Sequence, residues 1–212
     1  MTAGKDKIEV KNARDGCHIV VTVSGDLEQT RDASVVLTID RRIQYITEKA
    51  LARAVKKHNA KRGMALVMKP TTGAVVASAV WPPFDPNEYR GAADEARRNR
   101  NLTDPFEPGS TFKVFVIASA LEEGLVTPHP SFFCENGAMK VGNHSVKDTH
   151  SYGDLAVSEI IKYSSNIGAL KIGSELGNEM LYNYLKRFSF AERTGLDHLP
   201  GEAAGVLRHP SK

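Results

Sequence analysis

The chain has 212 residues, 41% hydrophobic and 25% charged, values that suit a folded domain and exclude a disordered one. A net charge of +3 is too small to argue for a nucleic-acid partner. No apolar run reaches the roughly 18 residues a membrane span needs, and the polar start Met1–Lys7 does not read as a targeting signal. Cys17 and Cys134 are far apart and match neither a metal spacing nor a redox pair, so they are expected to be unbridged.

In chain order, residues 7–37 read as extended, with Cys17–Val23 rich in β-branched residues. Ser34–Asp40 reads as a buried strand. From Arg41 to about His58, Ile43, Ile46, Ala50, Leu51, Ala54 and Val55 recur at helical steps, and Asp40 is placed to cap that helix. Met64–Met68 and Ala74–Val80 then flank the turn sequence Lys69-Pro70-Thr71-Thr72-Gly73, which predicts a hairpin. This order of elements predicts an α+β fold, an antiparallel sheet packed by helices.

Trp81–Pro108 is proline-rich and irregular, the kind of long segment that is functional or disordered. Its tight basic run, Arg97, Arg98 and Arg100, is expected to be a solvated loop. Ser110 to about Glu123 is predicted helical and stopped by Gly124. Residues 125–153 read as turn-rich. Three further helices are predicted over Leu155–Tyr163, Ile167–Leu176 and Glu179–Arg187. The tail from Thr194 is rich in Gly and Pro.

Glu107-Pro108-Gly109-Ser110-Thr111-Phe112-Lys113 is the most informative segment. Pro and Gly break the chain just before an apolar helical run, so Ser110 lies at a helix N-terminus. Lys113, three residues on, projects from nearly the same face. A serine hydroxyl is a poor nucleophile until a base takes its proton, and a lysine can be that base only when neutral. Burial or neighbouring charge must therefore lower its pKa. A helix N-terminus favours the alkoxide and the oxyanion that follows. Bare Ser-x-x-Lys arises by chance about once in a couple of hundred residues at average usage. Ser110 is the one serine of this chain with a lysine at that spacing.

Ser164-Ser165-Asn166 falls between two predicted helices, where Ser and Asn favour breaks and caps. Such a corner can point the Ser164 hydroxyl and the Asn166 amide into a cleft, one to relay a proton and one to bind a carbonyl. It can equally be a plain corner. Its place some fifty residues after Ser-x-x-Lys matches the motif order of penicillin-recognising serine enzymes, whose third motif is Lys-Thr-Gly.

The chain resembles the transpeptidase domain of class B penicillin-binding proteins of the division or elongation type. Val36–Gln44 is similar to that family's entry into the domain, Ala65–Ala79 to its central hairpin, Asn99–Lys113 to its nucleophile segment and Tyr163–Gly168 to its second motif. The resemblance covers roughly residues 34–212. It implies an α+β transpeptidase domain like that of the serine β-lactamases over 34–212, with 1–33 the remnant of an N-terminal stalk module. It implies that Ser110 is acylated by the penultimate D-Ala carbonyl of a peptidoglycan stem peptide, or by a β-lactam, with its backbone N–H forming half the oxyanion hole. Lys113 would be the base, Ser164 a proton shuttle, and Asn166 the holder of the substrate amide. No cofactor or metal is implied. The parent would be anchored in the cytoplasmic membrane, face the periplasm, and work with divisome or elongasome proteins.

One departure is expected to matter. No Lys-Thr-Gly or Lys-Ser-Gly triplet occurs. Arg193-Thr194-Gly195 is rejected as a substitute because it lies in a polar, turn-rich segment rather than a strand. The reading therefore expects a domain incomplete at its C-terminus, with weak or no activity alone and an exposed sheet edge. Two other readings compete. A class D β-lactamase or drug sensor also carries Ser-Thr-Phe-Lys, but its second motif usually ends in Val where Asn166 stands here. A non-catalytic scaffold of a wall-synthesis complex would not need the Ser110–Lys113 pair. Glu135, His144, Asp148 and His150 match no metal-ligand spacing and are expected to be solvated loop residues.

Overall fold

A computed structural model of the chain describes residues 7–11, 18–22, 37–85, 88, 90–195 and 201–211. Residues in strands β1 (Lys7–Lys11) and β2 (His18–Thr22) pair antiparallel, as the β-branched stretch predicts. Cys17, the expected boundary at residue 33, and the first half of the expected strand Ser34–Asp40 lie outside the described residues.

The described half of that strand departs from expectation. Leu37–Asp40 forms no ladder, and Leu37 is exposed. It is hydrogen-bonded to the neighbouring strand through Asp40 N–H to Val76 O at 2.9 Å and the Thr38 hydroxyl to Val75 O. The local cause is Asp40, which is committed to starting the next helix. Its carboxylate accepts from Arg42 N (2.8 Å) and Ile43 N (3.0 Å), the N-cap that the sequence predicts for α1 (Arg41–Lys57).

Helix α1 packs on the predicted hairpin, β3 (Gly63–Met68) and β4 (Val75–Trp81). The Gln44 side chain reaches β4 and acts there as a strand would. It donates to Ser78 O (2.9 Å) and accepts from Ser78 N (2.8 Å), satisfying backbone groups that β3 does not. Val55, Ala77 and Ala79 are buried here.

The irregular segment after Trp81 contains two short helices, α2 (Asp94–Arg97) and α3 (Arg100–Thr103). The arginine run is solvated only in part: Arg97 and Arg98 are exposed, but Arg100 is not. Arg100 is 3% exposed and pairs with Glu95 (2.5 Å) and Asp104 (2.9 Å), while Arg98 pairs with Asp104 (2.6 Å). A guanidinium tolerates such burial only with carboxylates on its fork, which is what these two helices supply.

By contacts the chain divides into two units, Met1–Asp104 with Thr194–Ala203, and Pro105–Arg193 with Ala204–Lys212. The second unit is built on α4 (Lys113–Glu122), preceded by a 3-10 turn over Gly109–Phe112 and ended by Gly124 at φ +66°. Residues 125–153, read from sequence as turns, contain three strands. β5 (Ser131–Phe133) pairs with β8 (Asp154–Ala156), and β6 (Ala138–Val141) forms a hairpin with β7 (His144–Lys147). These strands are only three or four residues long, too short for periodicity to reveal. β8 also takes the first residues of the predicted helix 155–163, so α5 runs Val157–Tyr163. α6 (Asn166–Leu176) and α7 (Asn178–Arg187) follow as predicted to within a residue. Ile117, Ile160, Ile167 and Ile172, all fully buried, form the core of this unit with Val157, Leu155 and Val126.

Candidate active site

Ser110, Lys113, Ser164 and Asn166 all belong to the second unit. Gly109, at φ +59°, turns the chain into the 3-10 segment, and Ser110 stands exposed on it. A ring cluster holds this turn from behind. Phe112 packs edge-on to Phe190 (5.8 Å between centroids), and Phe115 packs on both Phe188 (5.1 Å) and Phe190 (4.9 Å). The apolar helix that the sequence predicts after Ser110 is thus anchored by residues from beyond α7, which no local pattern announces.

Lys113 is the first residue of α4 and half-buried. Its Nζ lies 3.2 Å from Ser110 Oγ, 2.9 Å from Ser164 Oγ and 2.5 Å from Ser164 O. Burial is the leading influence on this ammonium and lowers its pKa below the ordinary lysine value; the nearby Asp148 carboxylate opposes the shift. A neutral amine keeps two N–H donors and one lone pair. With both donors on Ser164, the lone pair is left for the Ser110 hydroxyl.

Ser164 closes α5 in the left-handed conformation, φ +58° and ψ +41°. That C-cap position is usually glycine, and a side chain there costs about 1 kcal/mol or more. The strain turns the Ser164 carbonyl and hydroxyl together toward Lys113. Ser165, fully buried, then caps α6 by accepting from Gly168 N at 2.9 Å.

Asn166 is exposed and stands apart from the other three. Its Nδ2 donates to Lys147 O at 2.7 Å, and no hydrogen bond among the described residues joins its side chain to Ser110, Lys113 or Ser164. The structure therefore brings three of the four candidate residues into one hydrogen-bonded cluster and fixes the fourth on the adjacent helix start.

Asp148 is the residue sequence reasoning misplaced. It is half-buried, not a solvated loop residue, and its carboxylate accepts from Ser165 Oγ (2.7 Å), Asn166 N (2.5 Å) and Ile167 N (3.2 Å). Its partners lie seventeen to nineteen positions away, so no spacing within one element could have announced it. Glu135 likewise pairs with Lys171 (2.6 Å), His144 lies in β7, and His150 packs edge-on to Tyr152 (5.8 Å). Arg193–Gly195 lies in no strand. Cys134 is a buried free thiol, 3.5 Å from Ser165 Oγ. No described helix is long and apolar enough to cross a membrane.

Residues 63–212 match the family model described as the penicillin binding protein transpeptidase domain. The chain is 38% identical over 175 residues to the probable peptidoglycan D,D-transpeptidase PenA of Neisseria gonorrhoeae, covering 82% of this chain and 30% of that protein. To the peptidoglycan D,D-transpeptidase FtsI of Escherichia coli K12 it is 34% identical over 184 residues, covering 84% and 30%. Among solved structures, the transpeptidase domain of penicillin-binding protein 3 from Burkholderia pseudomallei superposes with a TM-score of 0.69 at 37% identity, over 81% of this chain and 47% of that one. The chain thus spans 30% of the length of these two curated relatives.

Proposed function

Because this chain belongs to the penicillin-binding protein transpeptidase family, with that family's α+β fold, we propose that its second unit carries the acylation machinery of a serine-type peptidoglycan D,D-transpeptidase. The observation that carries this reading is the placement of Lys113 Nζ between the hydroxyls of Ser110 and Ser164, on an amine that burial pushes toward its neutral form.

In this reading Ser110 Oγ attacks the carbonyl carbon of the penultimate D-Ala of a stem peptide, and Lys113 takes the hydroxyl proton. The C–N bond to the terminal D-Ala breaks, and Ser164 passes a proton from Lys113 to the departing amine. The result is an acyl ester on Ser110 and free D-Ala. The amine of a neighbouring stem peptide then attacks the ester, releasing Ser110 and forming the cross-link. A β-lactam enters the same path through its strained ring amide, but the cleaved amine stays tethered, so the ester persists. The Ser110 N–H, at the start of the helical segment, offers a donor to the oxyanion. Asn166 lies at the edge of the cluster and serves the substrate backbone rather than the proton path. Residues 1–33 belong, in this reading, to an N-terminal module separate from 34–212. The parent works at the outer face of the cytoplasmic membrane, with wall-synthesis partners of division or elongation.

The chain has no Lys-Thr-Gly or Lys-Ser-Gly triplet, which in this reading leaves the substrate carboxylate without its cation and makes acylation slow. Incubation with a fluorescent penicillin, read by intact mass, tests the assignment. A single adduct on the wild type that disappears in Ser110→Ala is expected. An adduct that survives Ser110→Ala, or its absence even from a chain extended to include a relative's third motif, would overturn the reading.

A further inference from the structure

We propose that Asp148 is a positioning residue for acylation: its carboxylate fastens the Ser165–Ile167 turn so that Ser164, held in its left-handed conformation, is presented to Lys113. The proposal rests on the transpeptidase reading above. Three donors converge on this one side chain, the Ser165 hydroxyl on Oδ2 and the amides of Asn166 and Ile167 on Oδ1. The two amides are among the first of α6, which has no intrahelical acceptor for them. The same helix start receives Ser165 Oγ on Gly168 N. Ser165 and Asp148 thus divide the open donors of α6 between them, and Ser165 gives its own proton to Asp148. Asn166 is fixed from the same strand end, by Lys147 O. The corner that carries Ser164 is therefore tied to the end of β7 by two consecutive residues, Lys147 and Asp148.

Asp148 also acts on Lys113 by charge. Its field holds the Lys113 ammonium against the burial that would discharge it. The elements packed against α4 carry Glu175 of α6, Glu179 of α7, 3.7 Å from His209, and Arg187 of α7, over the Tyr184 ring, and their other charged groups are engaged elsewhere. Glu159 of α5 accepts from Ala156 N, Lys162 lies over the Tyr163 ring, Lys171 of α6 pairs with Glu135, and Lys186 of α7 pairs with Glu192. One carboxylate thus sets both the position of Ser164 and the balance between charged and neutral Lys113.

Asp148→Asn separates these roles from simple folding, because Asn keeps an acceptor for the two amides but removes the charge and the acceptor for Ser165. Two readouts are taken on the full chain, penicillin acylation as a function of pH and the Lys113 side-chain titration by NMR. The expected result is a fall of about tenfold or more in the acylation plateau, together with a Lys113 midpoint moved to lower pH. A residue that only stabilised the fold would lower the plateau and leave that midpoint in place. Ser165→Ala is the second variant. It removes the turn's buried hydroxyl but keeps the charge, so the plateau falls and the Lys113 midpoint stays. Asp148→Glu, which keeps the charge, is the control for the shift in Asp148→Asn and is expected to keep the midpoint. An unmoved Lys113 midpoint in folded Asp148→Asn, or unchanged acylation in both Asp148→Asn and Ser165→Ala, overturns the proposal. If neither the wild type nor the extended chain forms an adduct, the transpeptidase reading fails, and the Lys113 titration still decides the part assigned to Asp148.

Discussion

In the proposed reading Lys113 is the base, and its surroundings make an ordinary lysine unusual. Its folded pKa is lowered, with burial the main cause and Asp148 opposing. Between that value and the unfolded value of about 10.4 the unfolded chain binds more protons, so stability rises with pH across the window and the burial penalty is present in full below it. Activity has the same sign. With neutral lysine as the proposed base, penicillin acylation is expected to climb as pH rises through the lowered pKa and to level off before the ordinary lysine range; a rate flat from pH 6 to 10 in stopped-flow fluorescence would count against Lys113 as the base. Ser164 offers a second residue-scale prediction, because its strain and its chemistry oppose each other. Ser164→Gly relieves the left-handed backbone and is expected to be more stable by about 0.5–1 kcal/mol in thermal unfolding, while acylating about 100-fold more slowly for want of the hydroxyl.

At the scale of elements, the site depends on how closely α5 and α6 approach at the Ser164 corner. Gly168 is the third residue of α6, and a Cβ built there would stand 2.6 Å from Cδ1 and Cγ1 of Ile160, which is fully buried on α5. Alanine would ordinarily help a helix interior by about 1 kcal/mol, but overpacking costs typically 1–3 kcal/mol. The net expectation for Gly168→Ala is a loss of about 1 kcal/mol in denaturant unfolding, with slower acylation because the helix that starts at Asn166 is pushed away from α5. The hairpin β6–β7 belongs to the same argument. It is small and exposed on much of its surface, yet the residues at its end hold the α6 start.

On the scale of the whole molecule, the three linked site residues and their support lie in one of the two units, Pro105–Arg193 with Ala204–Lys212. In the proposed reading the proton path of the first acylation step therefore forms within that unit. Binding of the substrate carboxylate is a separate matter, since the 212 residues include no third-motif triplet. Extending the chain at its C-terminus with the corresponding stretch of a relative is expected to raise the penicillin acylation rate by about 100-fold or more, without moving the pH limb set by Lys113. A rise accompanied by a shifted limb would mean that the added segment changes the base itself.

The amino-acid sequence by itself determined the long helices, the β3–β4 hairpin and the family, and it singled out Ser110, Lys113, Ser164 and Asn166 as candidates. These are written in local patterns: helical periodicity in Arg41–Lys57, a turn sequence at Lys69–Gly73, a three-residue Ser–Lys spacing at a helix start, and a break between two apolar runs. Tertiary structure alone decided the rest. The short strands of residues 131–156 exist because they pair with one another, Arg100 is buried because Glu95 and Asp104 meet it, and Asp148 matters because the fold carries it to a helix start far along the chain. A local signal survives in sequence because its partners are a few residues apart. A carboxylate whose partners come from another element leaves no such trace, and only the folded chain brings it within hydrogen-bonding reach.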